Sequence, residues 1–182
     1  MILPIYMYGQ PVLRKQTDFI DPDYPELGNL IQDMFDTMYN AEGVGLAAPQ
    51  IGLSISIFVV DASPLAEDFP ECEGFKRVFI NPEIEEFSEE TGPYNEGCLS
   101  IPGINETVIR PTTITMRYQD EHFEEKVEQF SGFQARVLQH EFDHLEGHLF
   151  TERISPIRRQ FVKAKLANIT KGKVACTYKV KR

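Results

Sequence analysis

The run His140-Glu141-Phe142-Asp143-His144 holds the residue types and spacing most suited to chemistry in this chain. On a helix, positions four apart project from one face, one turn above the other. Two imidazoles so placed reach a single metal ion, and the glutamate between them can carry a proton beside it. Two histidines leave a divalent metal short of at least one protein ligand. Metzincin-type proteases find it in a histidine ten residues after the first, but here that position is Phe150. His148 lies about 80° from His140 around an ideal helix, and beyond the terminus that Gly147 sets. It reads as a surface residue. Cys98, in the run Glu96-Gly97-Cys98-Leu99-Ser100-Ile101-Pro102-Gly103, is the other candidate. The residues alone leave two readings for it, a third ligand or a buried thiol without chemistry. As a ligand it would leave a fourth position open, the arrangement of a catalytic metal.

Placing these groups needs a helix and a set of strands. The helix is expected to start at Ser131, capped by its hydroxyl with Gln134 completing a capping box, and to end at Gly147. An earlier helix over 24–41 is predicted by Leu27, Leu30, Ile31, Met34, Phe35 and Met38 on one face. A third begins at Ser155-Pro156 and runs to about Ile169. Strands are expected at 55–61, 76–81, 83–90, 105–110, 112–119 and 122–130, with a further edge strand at 174–180. Consecutive strands without intervening helices imply antiparallel pairing. The fold class is therefore α+β, with antiparallel or mixed sheets around a central helix that carries the histidines. The run Gly43-Val44-Gly45-Leu46-Ala47-Ala48-Pro49-Gln50-Ile51-Gly52 reads as a small apolar loop, and lacks the Lys-Ser/Thr of a phosphate loop. Residues 62–75, acidic and turn-rich, read as a surface excursion that includes a chemically silent Cys72.

Composition sets the broad class. The chain has 182 residues, 42% hydrophobic and 25% charged, which suits one domain over 1–182 with its own core. No basic leader with an apolar run opens it, and no stretch approaches the roughly 18 apolar residues of a membrane span. Three widely spaced cysteines without a C-x-x-C pair argue against a disulfide framework, so a cytoplasmic location is expected. The net charge of −10 is uneven: residues 151–182 carry 10 Lys and Arg against one acid, and the rest carry 8 against 27. An acidic body disfavours broad nucleic-acid binding, and neither a specific DNA partner nor a membrane is expected. The basic segment 155–182 is either a solvated helix with its tail or a contact for an anionic partner such as RNA.

Three blocks, 43–50, 96–100 and 139–145, resemble in order and separation the three signature motifs of peptide deformylases, and the likeness runs from about Met1 to Ile169. The resemblance implies that Cys98, His140 and His144 bind a divalent metal and that Glu141 is the acid/base. It gives the oxyanion two donors, the Gln50 side chain and the Leu99 N–H. Fe(II) is the family's usual metal, with Zn(II), Ni(II) or Co(II) also suited to the site. The substrate would be the N-formyl-methionine of a nascent peptide, attacked by a metal-activated water and releasing formate. Main-chain pairing at Gly45 and Gly97 would hold the peptide. Val44, Tyr94, Phe133, Val137 and the His140 ring would line the methionine slot, though Phe133 and Val137 also suit plain core. Glu96 and Arg136 are expected at the mouth, Asp143 holding a ligand or loop, and Arg110 in a structural ion pair. The basic C-terminal helix resembles that of bacterial members that dock on the ribosome. Two rivals stand beside this reading, a zinc endopeptidase of another H-E-x-x-H type and a binding module that keeps the fold without the reaction.

Overall fold

The computed structural model describes all 182 residues. In chain order the elements are β1 (Ile5–Tyr6), α1 (Leu27–Asn40), β2 (Gly45–Ala47), β3 (Ile57–Asp61), β4 (Lys76–Phe87), β5 (Thr91–Cys98) and β6 (Ile101–Pro111), followed by β7 (Thr113–Gln119), β8 (Glu125–Ser131), α2 (Gly132–Leu145), α3 (Pro156–Thr170) and β9 (Val180–Lys181). Five strands form an antiparallel sheet in the order β2-β3-β4-β7-β8, β5 and β6 form a separate hairpin, and β1 pairs with β9 in parallel. The α+β class with antiparallel sheets around the histidine helix is as the sequence implied.

The sheet lies between two helices, and β3 shows why its sequence is apolar throughout. Alternate side chains of a strand face opposite sides. Ile57 and Val59 face α1, where they pack with Met34 and Met38. Phe58 and Val60 face α2, where they meet Phe79, Met116, Ala135, Leu138 and Leu145. A strand covered on both faces loses the usual apolar-polar alternation. A third cluster joins the β5–β6 hairpin to β1 and α3 through Ile5, Ile101, Ile104, Val108, Val162 and Ile169. On β6 the alternation also turns two charged residues, Glu106 and Arg110, inward. Glu106 accepts two bonds from Arg158 of α3, at 2.7 and 2.8 Å, and so ties that helix to the hairpin.

Several local expectations are corrected. The first helix starts at Leu27, because Pro25 precedes Glu26 and Glu26 adopts a left-handed φ of 56°. The expected strands 76–81 and 83–90 are one strand, β4, carried through Asn81-Pro82 by an irregularity in its pairing with β7. Strand β5 was unexpected, since Gly92 and Pro93 read as breakers. It pairs with β6 alone, and an edge tolerates both residues. Within 43–52, Gly45–Ala47 is strand β2 and Ala48–Ile51 a 3-10 turn. Segment 62–75 is not a plain surface excursion: Cys72 and Phe75 are buried, and Phe69 stacks on Phe133 with ring centroids 4.5 Å apart. Its Leu65, Phe69 and Cys72 are spaced to share one side, a pattern that the acid count hides.

The capping box of α2 does not form. Ser131 Oγ is 3.0 Å from Thr113 Oγ1, and the carboxylate of Glu71 accepts from the Phe133 N–H at 2.9 Å instead. A residue of the 62–75 excursion therefore caps the central helix. At the C-terminus the pairing is confined to Val180–Lys181, so of the expected edge strand 174–180 only Val180 is paired.

Candidate active site and metal centre

Helix α2 is buried on almost every side, and its C-terminal half meets the tip of the β5–β6 hairpin. The hairpin turns at Leu99-Ser100, not at Gly97, because Cys98 and Ile101 are register partners. That turn brings Cys98 to the helix. The ligand atoms of Cys98, His140 and His144 all lie within 4.8 Å of one another, with Cys98 Sγ 3.4 Å from His144 Nε2. His140 Nδ1 is 2.9 Å from Glu96 Oε1, which leaves Nε2 for the side facing the cysteine. A cysteine sulfur and two imidazoles in this triangle, His144 buried and the other two half-buried, suit a divalent transition metal. Two buried polar atoms of this cluster, Glu141 Oε1 and His144 Nδ1, have no hydrogen-bond partner in the protein. The donor set and the free Glu141 oxygen both fit a bound metal with a ligand beside it.

Burial shapes the proton affinities here. It pushes the Glu141 carboxyl up to about 7, with the charge of His140 acting the other way and that of Glu96 adding to it. His144 is pushed down to about 3, first by burial and then by the charge of His140. His140 moves up, since burial is outweighed by the Cys98 and Glu96 contacts.

Gln50 is 2% exposed in its 3-10 turn. Its Oε1 accepts from the Ala47 N–H at 3.0 Å, which directs Nε2 to Ser100 Oγ at 3.1 Å and toward Cys98 Sγ at 3.6 Å. The side chain thus arrives at the cluster with its N–H donors forward. Gly45 is required here by proximity: a Cβ would stand 2.6 Å from Glu141 Oε2. The Leu99 N–H donates to no group of the protein.

These groups border one cavity of about 570 Å³. Val44, Gly45, Tyr94, Gly97, Leu99, Phe133, Arg136 and Val137 line it, with Cys98, His140 and Glu141 at its inner end. Phe133 and Val137 also belong to the main core cluster, so the two readings of them are compatible. His148 stays outside, 53% exposed and paired with Glu152. Sequence reasoning missed Leu65, and it missed Ala175–Tyr178, which reach the cavity from the C-terminal end.

One expectation changes and another narrows. Glu96 is not a mouth residue but is 5% exposed, and its carboxylate serves Arg110 (2.6 and 3.0 Å), Arg136 (2.7 Å) and His140. Asp143 touches no metal-ligand side chain; of the two roles expected for it, it holds a loop, the segment after α2 that carries Arg153. It accepts from Arg110 at 2.9 Å and from Arg153 at 2.6 and 2.7 Å. Burial alone would raise both carboxyls, but for Glu96 the bonds from His140 and Arg110, and for Asp143 those from Arg153 and the charge of Arg110, hold them below the usual carboxylate range.

Comparisons with known proteins give the chain a family. The family model described as polypeptide deformylase matches residues 2–160. The chain belongs to the polypeptide deformylase family. A peptide deformylase of Flavobacterium johnsoniae is 52% identical and one of Christiangramia forsetii 50%, each alignment covering 100% of this chain and 96% of the relative. Among solved structures, a peptide deformylase from Legionella pneumophila aligns with a TM-score of 0.81 at 36% identity, covering 95% of this chain and 98% of that one. One from Plasmodium falciparum gives 0.83 at 36%, covering 92% and 95%. Deformylases are metal-dependent hydrolases, and the Cys-His-His triangle is a possible metal site in this one. No helix is long and apolar enough to cross a membrane.

Arg110 is the cation that both buried carboxylates share. Replacing it with Met leaves Glu96 short of a partner in the interior, and the expected loss is about 3–5 kcal/mol in chemical denaturation. Both carboxyls are depressed, so the network's stabilisation is complete above pH 4.5, the ordinary Glu value, and fades as pH falls below it. The difference between wild type and Arg110→Met should shrink on acidification, whereas a loss under 1 kcal/mol at neutral pH would show that the network is dispensable.

Proposed function

We propose that this chain removes the formyl group from N-formyl-methionyl peptides with a divalent metal held by Cys98, His140 and His144. The observation that carries the reading is the metal-ligand triangle beside a buried, unpartnered Glu141, at the end of an apolar-walled cavity in a member of this family. Fe(II) is the metal proposed in the cell, with Zn(II), Ni(II) or Co(II) as substitutes. When bound there, the metal supplies Lewis acidity and lowers the pKa of a coordinated water.

The chain's own residues do the rest. Glu141 takes the proton of the attacking water through its free oxygen and returns it to the amine nitrogen as the C–N bond breaks. Burial raises its proton affinity, which suits a group that both takes and returns a proton. The formyl carbon becomes tetrahedral and its oxygen gains charge, which needs donors already in position. Gln50 Nε2, oriented by the Ala47 N–H, and the unused Leu99 N–H supply them. Val44, Tyr94, Phe133 and Val137 give the methionine an apolar slot. The edges of β2 and β5 away from their partners are free, so Gly45 and Gly97 can pair with the peptide main chain. Arg136, fixed by Glu96, the Val108 carbonyl and the Gly92 carbonyl, shapes the rim. Formate and a peptide with a free N-terminal methionine leave.

Iron-loaded protein purified without oxygen should release formate from a formyl-Met tripeptide. Glu141→Ala should keep its metal and lose at least about 100-fold in kcat. Near-normal turnover by that variant would remove Glu141 from the mechanism, and no formate from loaded wild type would remove the function.

Docking on the ribosome is the second part of the proposal. Only Val162 and Ile169 of α3 are buried, while Arg159, Lys163 and Lys165 are exposed. Because those two apolar residues belong to the core, charge reversal is a cleaner test than deletion. Arg159→Glu with Lys163→Glu and Lys165→Glu should abolish salt-sensitive cosedimentation with ribosomes and leave peptide deformylation intact. Unchanged cosedimentation would exclude this face.

A further inference from the structure

The last residues of the chain lie beyond the 2–160 match to the family, yet they return to the active cavity. After α3 the backbone turns at Gly172, which has a φ of 73°, and ends beside β1. The Ile5 N–H donates to the Lys179 carbonyl and the Met7 N–H to the Lys181 carbonyl, each at 2.9 Å. The two chain ends thus hold one another. From this clasp two bonds reach the hairpin turn between Cys98 and Ile101. The Tyr178 hydroxyl donates to the Leu99 carbonyl at 2.6 Å, and the Tyr8 N–H donates to the Ser100 carbonyl at 2.9 Å. Both carbonyls of a two-residue turn are therefore fixed from outside the hairpin.

This bears on the Leu99 N–H, which, like the Ser100 N–H, donates to no group of the protein. Peptide planes are rigid, so a residue has only two soft torsions. Cys98 is fixed by its ladder with Ile101, and the Leu99–Ser100 plane is fixed by Tyr178. The direction of the Leu99 N–H is then set at both sides. Burial moves the Tyr178 hydroxyl up from its ordinary value, in keeping with its place as a donor.

We infer that Tyr178 is a positioning residue for deformylation: its hydroxyl pins the Leu99–Ser100 turn and so aims the Leu99 N–H at the developing oxyanion. This rests on the proposed role of that N–H. Tyr178 is among the residues that border the cavity, but its hydroxyl is spent on the Leu99 carbonyl, so its effect on the reaction runs through Leu99. A misaimed donor should cost less than a deleted one, for which losses of about 100- to 1,000-fold are typical.

The test compares full-length wild type and Tyr178→Phe, which loses one oxygen and keeps the ring. Three quantities are read: kcat and KM on a formyl-Met tripeptide per equivalent of bound metal, thermal midpoint, and amide hydrogen exchange over residues 98–101 without substrate. The expected result is a fall of about tenfold in kcat with KM and midpoint unchanged, and faster exchange in the turn. Unchanged kcat per metal overturns the inference. So does a kcat loss that tracks lost metal or a lowered midpoint, because that is a structural role alone. If wild type releases no formate the deformylase reading fails, and exchange still decides the pinning: faster exchange in Tyr178→Phe supports it and unchanged exchange overturns it.

Discussion

The carboxylate of Glu96 is the junction on which the site depends. It is buried, and it receives Arg110, Arg136 and His140 at once. Through His140 it fixes which ring nitrogen faces Cys98, and through Arg136 it fixes the rim of the cavity. Through Arg110 it is joined to Asp143, one residue before His144, and from there to Arg153 beyond the helix. Strand β5, helix α2, strand β6 and the segment after α2 are thereby held to one another by charge-assisted bonds. A buried carboxylate without such partners would be expensive. With them, its geometry is over-determined, which is what a ligand set of three side chains from two elements requires.

Around that junction the fold supplies distance. The five-stranded sheet and the β5–β6 hairpin approach α2 from different sides, so the free edges of β2 and β5 border the same cavity. The glycines matter for contact: Gly45 lets the Glu141 carboxylate lie against the β2 backbone, and Gly43 makes room for the Leu99 side chain. Small residues in the first motif are thus explained by the second and third motifs packing onto it.

The parts legible in the sequence were those governed by local rules. Helical spacing gave the two histidines one face, while Cys98 kept two readings until the family likeness made it the third ligand. The apolar stripe over Leu27 to Met38 announced α1, and Ser155-Pro156 announced α3. What was not legible depended on partners distant in sequence. Glu96 reads as one acid among many until folding surrounds it with two arginines and a histidine. Strand β5 is hidden by Gly92 and Pro93, which only an edge accepts. The cap of α2 comes from Glu71, some sixty residues away, and no local pattern predicts it. Tyr178 carries no motif at all, and its place follows from the pairing of the chain ends. The family likeness supplied the roles of Gln50 and Leu99; the structure adds the geometry that makes those roles physically reasonable.

The central claim is that one cysteine from the hairpin and two histidines from α2 share a metal. X-ray absorption at the metal edge of zinc-loaded full-length protein tests it most directly. The account predicts one sulfur at about 2.3 Å and two imidazole nitrogens at about 2.0–2.1 Å, with the sulfur lost in Cys98→Ser. A wild-type spectrum without sulfur, or one whose sulfur persists in Cys98→Ser, would contradict it.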